Sequence, residues 1–151
     1  MLVAKLREGG FLISKIKQIS GRIFDKKLKS HDINDLNTAQ GRIIFSLLKN
    51  DSIPISELAK QTALGKTSLT SMLGRLEQRG YTVRTVDVKD KRKTLVALSE
   101  KSKSIESRHS AVSEEMTALF YAGLSENQID EFESTLKSIL ANLAKYEDEH
   151  R

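Results

Sequence analysis

At 151 residues the chain is about one domain long, enough to bury a real core. Helix formers dominate, proline occurs once and cysteine not at all. That points to helices and excludes disulfides, thiolate metal sites and cysteine redox switching. The net charge of +5 is unevenly spread: +4 over residues 1–36, +6 over 37–99 and −5 over 100–151. A basic middle suggests an anionic partner, of which nucleic acid is the commonest. No apolar run approaches the roughly 18 residues of a membrane span, and MLVAKLREGG lacks the apolar core of a secretory signal. A cytoplasmic address with no membrane partner is expected.

Leu12, Ile16, Ile19 and Ile23 recur at helical spacing, which predicts a first helix over about 10–30. The polar SHDIND is a loop. Asn37 with Gln40 three residues on resembles a capping box before the run IIFSLL, so a second helix is expected over about 38–49. NDSIP ends it with turn formers, and ISELAKQT forms a short third helix over about 55–62. Leu69, Met72, Leu73 and Leu76 mark one face of a fourth helix. Its other face presents Lys66, Thr67, Ser68, Thr70, Ser71 and Arg75, and Gly80 ends it in the left-handed conformation. Two β-prone runs in GYTVRTVDVKDKRKTLVALS then flank the basic tip KDKRK. A fifth helix is expected from Ser99 to about Ala122, stopped by Gly123. The sixth starts at the capping box Ser125–Gln128 and carries the stripe Ile129, Phe132, Leu136, Ile139, Leu140 and Leu143.

Two short helices joined by a tight turn, the second with small hydroxyl residues and cations on its outer face, make a helix-turn-helix pattern. The basic-tipped ribbon after it completes a winged helix. A two-stranded ribbon buries little, so structure alone explains its charge poorly. A narrow arm bearing Arg92 suits the negative potential of a minor groove. Asp90 is close enough to orient that guanidinium, with Lys91 and Lys93 beside it.

The stretches ISELAKQT, TSLTSMLGRLEQRGY and RTVDVKDKRKTLVALS resemble the MarR family of winged-helix transcriptional regulators, and the resemblance runs along nearly the whole chain. It puts the recognition helix on Lys66 to Arg79 and the wing's Arg, then Asp-x-Arg, on Arg84, Asp90 and Arg92. The implied fold is mainly α with a small β-hairpin wing. It is a single domain over 1–151, with a winged helix-turn-helix at 37–99 flanked by helical dimerisation regions at 1–36 and 100–151. The implied function is a repressor that binds a palindromic operator in double-stranded DNA as a homodimer. Leu12, Ile16, Leu119, Phe120, Ile129, Phe132, Leu136, Ile139, Leu140 and Leu143 are expected at the dimer interface. By the same resemblance a small anionic aromatic or lipophilic effector releases the DNA.

The chain departs from the family pattern at Gly65, Gly74, Gly41 and Ser102, and Gly41 in place of a bulky residue is expected to enlarge an internal pocket. No cofactor or metal is expected, since His31, His109 and His150 lack ligand spacing. An enzyme is not expected either, because no phosphate loop or nucleophile motif occurs. The competing reading is a winged-helix module for protein interaction or dimerisation without DNA binding, which requires an apolar outer face on the fourth helix and a neutral wing.

Overall fold

The computed structural model describes residues 5–50 and 52–151. The opening MLVA and Asp51, within the turn NDSIP, lie outside the described residues. Two compact units divide the chain, one up to Glu114 and one from Glu115 onward.

The first unit begins with α1 (Gly9–Ser30) and α2 (Thr38–Leu48). The Asn37 capping box forms, Oδ1 accepting the Gln40 N–H at 2.9 Å while Gln40 Oε1 accepts that of Asn37 at 3.1 Å. Thr38 ties α2 to α1, its N–H donating to Asp25 Oδ1 at 2.9 Å. A two-residue strand follows, β1 (Ile53–Pro54), then α3 (Ile55–Thr62) and α4 (Lys66–Gln78). The ribbon is β2 (Thr82–Val86) and β3 (Thr94–Leu98), antiparallel with Arg84 opposite Val96.

The wing is therefore not a free two-stranded ribbon. β1 pairs antiparallel with β3 through Ile53 and Val96, giving a three-stranded sheet of order β1-β3-β2. Two residues around a proline carry no strand periodicity, so β1 left no signal in the sequence. Its pairing fastens the base of the wing to the loop before α3, which a hairpin marginal by itself requires.

The core of this unit is Leu28, Ile43, Ile44, Leu47, Leu58, Leu69, Leu73, Leu76, Val96 and Val112, all essentially inaccessible. Leu69, Leu73 and Leu76 bury the inner face of α4 and leave its hydroxyl-bearing face outside. Helix starts and stops agree with local chemistry: Gly80 after α4 and Gly123 both take the left-handed region at φ +83°, where glycine is least penalised.

The expected fifth helix is interrupted. It divides into α5 (Glu100–Ser104), N-capped by Ser99, and α6 (Glu106–Phe120). Ile105 between them is drawn into the core, and its N–H bonds three residues back, to Ser102, instead of four. Burying one β-branched side chain thus costs a helical turn its continuity. Gly41 also corrects an expectation. A Cβ there would lie 2.9 Å from Phe24 Cε1, so the Phe24 ring fills the space the glycine leaves.

In the second unit α7 (Glu126–Glu149) starts at the Ser125–Gln128 capping box. Phe120, Tyr121 and Phe132 form an aromatic cluster with centroids 5.0–6.3 Å apart, and the Tyr121 hydroxyl donates to Glu133 at 2.9 Å. No residue of α7 is buried. No described helix is long and apolar enough to cross a membrane.

Candidate nucleic-acid interface

The outer face of α4 presents Lys66, Thr67, Ser68, Thr70, Ser71 and Arg75, all exposed. Gly65 caps the helix without a side-chain hydrogen bond, so the first-turn N–H groups are claimed by no cap. Those groups, with the helix dipole and Lys66, favour an anion at this end. Thr70 returns its hydroxyl to the Lys66 carbonyl at 2.8 Å. Thr67, Ser68 and Ser71 make no side-chain hydrogen bond among the described residues, so their hydroxyls remain available to a partner. Gly74 has nothing within 4 Å of a Cβ position.

Residues 87–93 form the wing tip. It is organised by its own aspartates: the Lys89 N–H donates to Asp87 Oδ1 at 2.9 Å and the Arg92 N–H to Asp90 Oδ1 at 3.1 Å. Arg92 Nε and Nη2 then grip the two oxygens of Asp90 at 3.0 and 3.2 Å. Arg92 is 91% exposed even so. The Arg92 side chain, then its backbone N–H, holds the Asp90 carboxyl below the usual range. The carboxylate therefore stays charged and keeps the guanidinium oriented outward. Lys91 and Lys93 flank it, both exposed.

Arg84 has a different setting. Its Nη2 and Nε lie 2.7 and 2.8 Å from Glu77 Oε2, which braces β2 against α4. Sequence reasoning missed Glu77 because seven residues, a glycine turn and a change of element separate the pair.

The residues expected at a dimer interface are distributed as follows. In α1, Leu12 and Ile16 are exposed, as are their neighbours Phe11, Ile13 and Ile19. In the second unit Leu119, Phe120, Ile139, Leu140 and Leu143 are exposed, while Ile129, Phe132 and Leu136 are half-buried. No group of residues suited to a metal ion occurs among those described.

Comparison with known proteins bears on this geometry. The model of the MarR family matches residues 36–94, which takes in α2 through the start of β3. The HTH-type transcriptional regulator SarZ of Staphylococcus aureus is 29% identical over 122 residues, covering 80% of this chain and 78% of SarZ. A crystal structure of a mutant MarR of E. coli complexed with operator DNA is 27% identical, with a TM-score of 0.74. It covers 91% of this chain and 99% of that one. BpsR of Bordetella bronchiseptica, whose DNA binding is regulated by 6-hydroxynicotinic acid, has a TM-score of 0.77 over 92% of this chain and 97% of its own. At 19% identity it shows the fold alone.

Proposed function

We propose that the chain is a MarR-family winged-helix transcriptional regulator that represses transcription by binding a palindromic operator as a homodimer. In this reading α4 lies in the major groove and the wing tip reaches the adjacent minor groove. The observation that carries it is the Asp90–Arg92 clamp, a guanidinium held outward at the end of a basic arm beside an uncapped polar helix. The operator complex of the E. coli relative supports DNA as the partner. Ser68 and Ser71 are short enough to approach base edges, and Arg75 reaches a phosphate or a guanine. Lys66, Lys91 and Lys93 contribute sequence-independent phosphate contacts. A twofold dimer sets two recognition helices roughly 34–36 Å apart, one DNA turn.

Selection of bound fragments from a random DNA pool tests the whole reading. An enriched palindrome whose affinity falls steeply with salt is the expected result. Retention of no sequence at any ionic strength would overturn it. The same assay, repeated with aromatic carboxylates, tests release by an effector.

A further inference from the structure

The turn that takes the chain from α4 into β2, Arg79-Gly80-Tyr81, is held by groups distant in sequence. Arg79 Nη1 donates to the backbone carbonyl of Asp35 at 2.5 Å, in the loop between α1 and α2. The Tyr81 hydroxyl donates to the carboxylate of the same Asp35. Lys101 of α5 donates to the Arg79 carbonyl at 2.8 Å, lies 3.9 Å from Asp35 Oδ2, and stands 4.3 Å from the centroid of the Tyr81 ring. Ser99 and Ser102 hydroxyls donate to the carbonyls of Gly80 and Tyr81.

Most of this belongs to the core: Tyr81 and Ser102 are buried. The Asp35 carboxylate does not belong to it. Its side chain is 46% exposed, where an ion pair with Lys101 adds little stability. What the carboxylate can do there is restrain direction. It converges with Lys101 on a turn whose middle residue is a left-handed glycine, and that turn joins the two elements proposed to meet DNA. We propose that Asp35 is a positioning residue: through Tyr81 and Lys101 it fixes the α4–β2 turn, and with it the angle between recognition helix and wing. This rests on the proposed function for the significance of that angle, though not for its existence. A hinge that spends a tenth of its time at the productive angle binds its site about ten-fold more weakly. Nonspecific binding through phosphates tolerates a range of angles.

The test uses full-length Asp35→Ala, Asp35→Asn and Tyr81→Phe. None removes the Arg79 bond, which goes to a backbone carbonyl. Asp35→Ala and Tyr81→Phe are expected to lower affinity for the selected site about ten-fold, leaving nonspecific affinity and its salt slope unchanged. Asp35→Asn keeps an acceptor for Tyr81 and falls between. Because the chain has no cysteine, spin labels on Ser71→Cys and Lys91→Cys report the helix-to-wing distance without DNA. Its distribution is expected to broaden in the Asp35→Ala and Tyr81→Phe backgrounds. An unchanged distribution, or equal loss of specific and nonspecific affinity, overturns the proposal. If the wild-type chain selects no DNA, the proposed function falls, and the label distances alone decide the role of Asp35. Should Asp35→Ala fail to fold, Asp35→Asn and Tyr81→Phe carry both measurements.

Discussion

Glu77 and Arg84 meet at one oxygen: Arg84 Nη2 and Nε both lie within 2.8 Å of Glu77 Oε2, joining the end of α4 to β2, the first strand of the wing. An arginine already held by a carboxylate has less to offer a phosphate. Arg84→Ala is therefore expected to weaken operator binding by about 1 kcal/mol or less, the range of a half-exposed pair. Glu77→Gln is expected to steepen the salt dependence, because it frees a cation beside the DNA. Titration of both variants across a salt series checks the pair. A loss for Arg84→Ala as large as for Arg92→Ala would show that Arg84 leaves Glu77 on binding.

Arg92 differs in that its carboxylate partner lies beside it on the same exposed tip and aims it outward. Arg92→Ala is expected to cost about 1–3 kcal/mol of operator affinity, as a well-made DNA contact does. Asp90→Ala is expected to cost less, since it loosens the arginine without removing it. Wild-type affinity for Arg92→Ala at every salt concentration would rule out the wing contact.

On α4, Ser68 and Ser71 carry hydroxyls that no described residue engages, unlike Thr70, whose hydroxyl returns to Lys66. Ser68→Ala and Ser71→Ala are expected to change the motif recovered from a DNA pool more than nonspecific affinity. Thr70→Ala is expected to change the motif less, because its hydroxyl is already satisfied. Unchanged motifs for both serine variants would remove α4 from base readout.

These contrasts mark what the sequence made legible. The α4 face follows from Leu69, Leu73 and Leu76 at helical spacing, and both capping boxes from residues three apart, because these signals are local. The basic tip was equally plain, and a two-residue offset brought Asp90 to Arg92. What escaped was long-range: β1 pairing with β3, Asp35 reaching Tyr81, and Glu77 holding Arg84. Gly41 was visible as a departure from the family pattern, but only packing shows that Phe24 takes up its space. The break at Ile105 hid for the same reason, since only tertiary packing shows that side chain drawn into the core.

His109 of α6 is buried beside Phe24 and Gly41, its ring 6.4 Å from that of Phe24 and edge-on to it. Neither ring nitrogen has a hydrogen-bond partner among the described residues. Burial lowers its pKa, against a weaker opposing pull from the Gly41 backbone. The folded chain thus keeps the ring neutral at pH values where the unfolded chain protonates it. Its contribution to stability is fully present above the unfolded value of about 6.5 and is lost as pH falls from there toward the lower folded value. Melting temperature is expected to drop as pH falls below about 6.5 in the wild type. The drop is expected to be shallower in His109→Leu, which fills similar space without a titrating group. Parallel curves would place the acid sensitivity elsewhere.

The proposed dimer rests on surface that each unit leaves uncovered. Phe11, Leu12, Ile16 and Ile19 line an exposed face of α1, and Ile139, Leu140, Leu143 and Tyr146 do the same on α7, where not one residue is buried. A helix of 24 residues holds its form in water chiefly through an amphipathic face packed on something, and contiguous apolar patches of this kind mark interfaces. Substituting Leu140→Glu and Leu143→Glu together places two charges in the α7 stripe while keeping good helix formers. In full-length protein the pair is expected to shift sedimentation from dimer to monomer at micromolar concentration. Operator affinity is expected to fall much more than affinity for a single half-site, because a monomer loses the second recognition helix. A wild-type chain that sediments as a monomer yet binds a palindrome tightly would refute the dimer. So would a double variant that keeps full operator affinity.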